Sequence, residues 1–313
     1  MSVGDRYTPT GRRIRLTAED TELRIGTVGA VIAGLEVGGV ALTEPIAEDA
    51  RPAYCNGIHL APWPNRVRDG LWEHDGRAQQ LDITEPERRN ALHGLVQFAE
   101  FEIRHSDDRS AILGAYIPPQ HGWPFSLDVE VEYRAEPEGL SATHRARNLS
   151  AVPAPYATGA HPYLRIGAHD VADLRITVPA EQYLDVDDRL NPLGVEQVAG
   201  TRFDLRESRV IRELDLDTAY AALTPVDGAV AWLDAPDGAR LSLIQDADWR
   251  FTQVFTTTIW PDAAAAGGLR TAVAVEPMTA LPDALNTGEG IAWLEPGELW
   301  EGSWALRYER SPR

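Results

Sequence analysis

The stretch "FSLDVEVEYRAEPEGLSATHRARN" constrains the fold more than any other part of the chain. Phe125, Leu127, Val129, Val131 and Tyr133 fall on one side of a period of two, and Asp128, Glu130, Glu132 and Arg134 fall on the other. That pattern belongs to a strand with one buried face. "AEPEG" is a turn signal and alternation resumes at Leu140, so the stretch predicts a hairpin. "LWEHDGRAQQL" and "VAWLDAPDGARLSLI" predict two more, each with Asp-Gly between strand-like arms. In "LWEGSWALRYE", Trp300, Gly302, Trp304, Leu306 and Tyr308 share a face. No stretch longer than about twelve residues sustains a helical period. The 22 prolines and 26 glycines are spread along the chain rather than gathered in a linker. The expectation is an all-β fold with few short helices, forming one domain over residues 1–313. Residues 1 to about 12 are expected to be flexible, and "WPDAAAAGGLR", Trp260 to Arg270, to form a mobile surface loop.

A chain of 313 residues buries roughly 75% of the surface its unfolded form exposes, enough to hold a rigid site without disulfides or metals. The net charge is -19 and no basic run interrupts it, which argues against nucleic acid or an anionic membrane as partner. The sequence contains no lysine, so all 29 basic residues are arginine. This excludes a Schiff-base lysine, a pyridoxal-phosphate lysine and a P-loop lysine together. Cys55 is the single cysteine, which rules out an intrachain disulfide and points to a reducing compartment; its expected role is that of a small buried residue. The N-terminus lacks the apolar core of a signal peptide and no run reaches the length of a membrane span, so the expected location is the cytoplasm.

Five stretches place ionisable or polar residues beside apolar or turn residues: "APWPNRV", "NALHGLV", "TGAHPYL", "ELDLDTAY" and "AVEPMTALPDALNTG". In the last, Val273 and Val275 predict a strand that Pro277 should end, leaving Glu276 at its tip among apolar neighbours. A carboxylate so placed is a candidate for a raised pKa and general base work, or else a surface residue at a turn. Pro162 disfavours the helical region for the residue before it, so His161 should be extended, with its imidazole committed to one face. Taken alone, such a histidine is more often structural than a proton donor. Arg66 and His93 lie in turn-rich stretches, and Asp217 sits among Glu213, Asp215 and Asp204, a set that also suits a solvated acidic face. His59, His93 and His161 have no short ligand spacing and no cysteine partner, so no metal site is expected.

Together and in this order, "APWPNRV", "NALHGL", "GAHPYL" and "VEPMTALPDALNTG" resemble the aldose 1-epimerase (galactose mutarotase) family, with the likeness running from about "GTVGAVIAGLEVGGVALTEP" to the C-terminus. The resemblance implies a β-supersandwich with a sugar cleft across one sheet, and cofactor-independent exchange of α and β anomers of free aldoses. It implies Glu276 as the base that removes the C1 hydroxyl proton and His161 as the acid that protonates the ring oxygen. Arg66 and His93, with Asn65 beside them, are implied as groups that position the sugar. Asp217 is implied as a carboxylate that takes its hydroxyls, with Asp215 close enough to compete for that register, and Gln253 as a further sugar contact. The partner is then a monosaccharide, bound by a monomer or homodimer. Leu95 follows "HG" where many members carry a second glycine, and "HPYLRI" replaces a more usual aromatic and asparagine; both changes bear on sugar preference more than on chemistry.

Three other readings stand beside this one. A non-catalytic carbohydrate-binding module on the same fold would suit the nine tryptophans, but has no use for an acid and a base at one sugar. A mutarotase for hexose 6-phosphates requires arginines free to hold a phosphate. A glycosidase built on Glu276 and Asp217 requires two carboxylates about 5 to 10 Å apart.

Overall fold

The computed structural model describes residues 8–311, and strands dominate it. The predicted hairpin forms from Leu127–Glu136 and Gly139–Asn148, with every second residue of the first strand buried. Leu71–His74 pairs with Arg77–Gln80, and Ala229–Asp234 with Arg240–Gln245, at the two Asp-Gly turns. The C-terminal strand Leu299–Glu309 then joins Gly139–Asn148 to Arg240–Gln245 and completes the centre of a nine-stranded sheet.

A second sheet of eight strands carries, in spatial order, Pro192–Gln197, Ala180–Val186, Asp217–Leu223, Phe251–Pro261, Leu269–Met278, Gly159–Ala160 and His59–Leu60, with Tyr163–Leu164 also paired to Leu269–Met278. The core lies between the two sheets: Val129, Val131, Leu241 and Leu243 from one, Tyr220, Val254, Val273 and Val275 from the other. A four-stranded sheet over residues 13–41 adds Leu16, Leu23, Ile25 and Leu35. Among the described residues the one α-helix is the single turn Ala284–Thr287.

Alternation decides what the outer face of the eight-stranded sheet carries. Because Val273 and Val275 point into the core, Ala272, Ala274, Glu276 and Met278 point out of it. The strand does not end at Glu276 as expected: it continues through Pro277 to Met278. The amides of Val275 and Thr279 both donate toward residues 158–162, so the donor that Pro277 lacks belongs to that side, where the neighbouring chain turns at His161. One ladder bond is lost at a place where the ladder is already broken.

Two flexible segments expected from sequence are more ordered where described. Residues 1–7 lie outside the described residues, but Thr10 is fully buried and the Arg12 amide donates to Thr27 Oγ1 at 2.9 Å. Trp260 and Arg270 belong to the paired strands and not to the loop between them: Trp260 packs on Tyr163 at 4.3 Å, and Arg270 pairs with Glu44 and Asp262. Among the described residues no helix is long and apolar enough to cross a membrane.

Candidate active site

Cross-strand register brings three of the expected residues together on the outer face. Gln253 lies between Ala219 and Glu276, and Asp217 lies opposite Phe255, one pleat further along. Gln253 Nε2 donates to Asp217 Oδ1 at 2.5 Å. Small side chains, Ala219, Ala221, Ala272 and Ala274, leave room above the sheet. Apolar clusters close it on either side, one around Leu184, Phe251, Met278 and Leu281, the other around Tyr163, Trp260 and Phe255. Of the two competing aspartates, Asp217 is in the group and Asp215 is exposed outside it.

His161 enters from the broken strand beside Glu276. Its amide donates to the Ile58 carbonyl and its own carbonyl accepts from Gly57, so the backbone is fixed at both ends. Its ring stacks on Tyr163 with centroids 5.3 Å apart, and its Nε2 lies 3.3 Å from Glu276 Oε1. Both side chains are buried, at 7% and 2% exposure. Burial pushes the Glu276 carboxyl well above the usual carboxylate range, helped by the Asp217 charge and opposed by Arg66. Burial, with Arg66, lowers His161 to about 4.

Asn65, Arg66 and His93 form the third wall. Asn65 and His93 both have left-handed φ angles, 57° and 63°, in the turns that follow "PWP" and "NAL". His93 Nδ1 accepts the Asn65 amide hydrogen at 3.2 Å, so the neutral ring carries its proton on Nε2. Burial, His161 and Arg66 hold His93 well below its ordinary value, as a neutral ring. The His93 and His161 rings meet edge to face at 5.2 Å. Arg66 Nη2 lies 3.4 Å from Asp217 Oδ2, and Nη1 lies 3.4 Å from Asn65 Oδ1.

All seven residues singled out in the sequence therefore lie in one neighbourhood. Two that were not singled out lie there too. Glu85 receives Arg66 in a two-pronged contact, Nε to Oε2 at 2.9 Å and Nη2 to Oε1 at 3.0 Å. Tyr163 lies against His161, with its hydroxyl buried and without a partner among the described residues. Both had a signal: Glu85 stands before Pro86 as Glu276 does before Pro277, and Tyr163 lies two residues after His161. Cys55 is half-buried and its thiol is pushed up to about 12 by burial and the nearby glutamates, which makes it a poor nucleophile.

Several buried polar atoms of the group lack partners among the described residues: Glu276 Oε2, Gln253 Oε1, His161 Nδ1 and the Tyr163 hydroxyl. Unsatisfied buried polar groups cost about 1–3 kcal/mol each, so their concentration on one face marks a place built for a polar ligand. A separate cavity of about 690 Å³ lies further along the sheet past Ala221 and Phe251, and none of the seven residues lines it.

Solved structures share this architecture. The GalM/aldose epimerase homologue of C. elegans matches with a TM-score of 0.84 over 96% of this chain and 99% of its own, at 18% identity. Galactose 1-epimerase of Lactobacillus acidophilus NCFM matches at 0.78 over 96% and 95%, at 19% identity. The fold is thus of the galactose mutarotase type, a β-supersandwich. In sequence, the chain is 31% identical over 291 residues to the uncharacterised protein YihR of Escherichia coli K12, covering 92% of this chain and 91% of YihR. It is 29% identical over 201 residues to human galactose mutarotase, covering 61% of this chain and 55% of that one. The aldose 1-epimerase family model matches residues 12–307, and the chain belongs to that family. Membership implies an isomerase.

Proposed function

We propose that the protein is an aldose 1-epimerase that interconverts the α and β anomers of free aldohexoses such as glucose or galactose. The observation that carries this reading is the contact between His161 and Glu276, two buried groups of opposite proton affinity 3.3 Å apart. The hydroxyl oxygen and the ring oxygen of an aldose are bonded to the same carbon. An acid and a base acting on them must converge on adjacent atoms, and a touching pair does so better than a pair separated by a whole ring.

With Glu276 raised and His161 lowered, a proton shared by the pair rests on Glu276. Transfer of that proton from Glu276 to His161 across their contact makes the reactive arrangement. Glu276 then takes the proton of the C1 hydroxyl while His161 gives its proton to the ring oxygen, and the bond from C1 to that oxygen breaks. Rotation of the open chain presents the other face of the carbonyl, and closure returns both protons. Arg66 and the His93 Nε2 hydrogen are suited to support charge near the ring oxygen, and Asp217 and Gln253 to receive sugar hydroxyls. A positioned acid or base contributes about 10²–10⁴-fold each.

The test is polarimetry of freshly dissolved α-D-glucose and α-D-galactose, which purified protein should bring to equilibrium faster. His161→Ala and Glu276→Gln should each remove most of the acceleration. The mechanism is overturned if a panel of aldoses shows none, or if both variants stay as active as the parent. Binding without acceleration would indicate a sugar-binding module, and preferential turnover of hexose 6-phosphates would move the substrate class. The pH dependence follows from the shared proton. Below about pH 4 His161 takes a second proton and the base is lost; above the raised value of Glu276 the pair holds no proton and the acid is lost. kcat/KM should therefore be bell-shaped with its acid limb near 4.

A further inference from the structure

We infer that Glu85 is a positioning residue of this site, fixing which edge of the Arg66 guanidinium faces the sugar. The inference rests on the epimerase reading above. A guanidinium has two faces for a planar acceptor, and Glu85 occupies the one formed by Nε and Nη2. Nη1 and the remaining hydrogen of Nη2 are thereby turned toward Asn65 and Asp217, and the Arg66 charge is felt at Glu276. The arrangement is rigid at both ends. The side chains of Arg66 and Glu85 are only 10% and 11% exposed. The Glu85 backbone is clasped to Asn90, its amide donating to the Asn90 carbonyl at 3.0 Å and its carbonyl accepting from the Asn90 amide at 3.2 Å. Asn90 is fully buried, its Nδ2 donating to the Arg189 carbonyl. Arg88 also reaches Glu85 at 3.1 Å, from the exposed side.

The second consequence is electrostatic. Arg66 faces three carboxylates, Glu85, Asp217 and Glu276, with His93 and His161 close by as neutral rings. Glu85 offsets much of the Arg66 charge at short range. Without it, only Asp217 would oppose Arg66 at close range, and Arg66 would weaken the hold of Glu276 on the shared proton more strongly.

The experiment compares Glu85→Gln and Glu85→Ala with the parent, in the wild-type chain and in an Arg66→Ala background. kcat/KM on glucose should fall about 10²-fold, the size expected when a contact group is displaced by about an ångström. The alkaline limb of the pH profile should move to lower pH. In the Arg66→Ala background the Glu85 substitutions should cost little more, because they act through the missing group. Calorimetric binding of 1,5-anhydro-D-glucitol, which has no anomeric hydroxyl to react, gives a readout independent of turnover. If the parent binds it without accelerating any aldose, the epimerase reading fails, and weaker binding by Glu85→Gln still supports the positioning role. The role is overturned if the Glu85 variants keep parental rate, pH limbs and binding. It is equally overturned if their losses add in full to those of Arg66→Ala while the urea midpoint falls and the pH limbs stay in place.

Discussion

Glu44 and Glu276 are equally buried, at 1% and 2% exposure, and each stands directly before a proline on or beside the same sheet, yet they are held in opposite ways. Glu44 is surrounded by cations. Arg270 reaches it from two nitrogens, through Nη1 at 2.7 Å and through Nη2, and Arg165 Nη1 lies 3.4 Å away. Glu276 touches no cation. Its one contact is His161, itself lowered by burial, and its second oxygen has no partner among the described residues. The same residue type before a proline thus anchors an ion-pair cluster in one place and, on the proposed mechanism, carries the proton in the other. What separates them is whether the surroundings satisfy the charge, because an unsatisfied carboxylate is the one that will exchange a proton near neutrality.

The contrast is broken or sharpened by exchanging the two side chains for glutamine. Glu276→Gln carries the larger effect: a loss of about 10²–10⁴-fold in kcat, with folding stability unchanged or slightly raised, since the group removed was poorly satisfied. Glu44→Gln should do the reverse. It leaves Arg165 without its anion and Arg270 with Asp262 alone, and should cost about 3 kcal/mol in urea unfolding, the low end for a broken buried pair, since both guanidinium side chains keep about a fifth of their surface in water. kcat per folded molecule should hold. If Glu44→Gln proves catalytically dead but fully stable, the division between anchor and proton carrier is wrong.

The sheet that carries the site was readable in the sequence wherever one face is wet, as in Leu127–Glu136, because burial then writes a period of two into the chain. Leu269–Met278 was harder, because it is covered on both sides: core on one face, cleft on the other. Its valines and alanines give no polar face, and Pro277 suggested an end that the broken neighbouring strand makes unnecessary. The seven candidate residues were picked out through motif resemblance, and their grouping comes from register between strands distant in sequence. Glu85 and Glu44 escaped notice since their meaning lies in the arginine each meets, 19 residues away for Arg66 and 226 for Arg270. No local pattern records such a partner. The repeated Thr-Glu-Pro at residues 43–45 and 84–86 is the one trace of them in the sequence.

A smaller version of the same contrast lies in the core, where His59 and His144 sit with ring centroids 4.4 Å apart and both fully buried. His144 is satisfied at both nitrogens. Nε2 accepts from Trp304 Nε1 at 3.1 Å, so Nδ1 carries the proton and donates to Thr158 Oγ1 at 2.9 Å, which in turn donates to the Leu60 carbonyl. His59 has no partner at either nitrogen among the described residues. Burial alone lowers it to about 3, so it folds as a neutral ring. His59→Leu, close in volume, should therefore stabilise by about 1 kcal/mol at pH 7.5, with the lost edge contact to Phe101 offsetting part of the gain. His144→Leu strands Trp304 and Thr158 and should destabilise. The pH dependence gives the sign independently. A histidine lowered in the folded state contributes stability above its unfolded value near 6.5, and that contribution is lost as pH falls toward the folded value. His59, His93, His144 and His161 are all lowered. Between pH 6.5 and about 4 these four rings thus bind up to four more protons in the unfolded chain than in the folded one, offset in part by the proton that the raised Glu276 keeps in the folded chain. Removing His59 should cut the slope of stability against pH by about 1.4 kcal/mol per unit. If the slope is unchanged, His59 is charged in the folded core or its nitrogens are served by solvent, and the distinction between satisfied and unsatisfied buried groups does not extend to this pair.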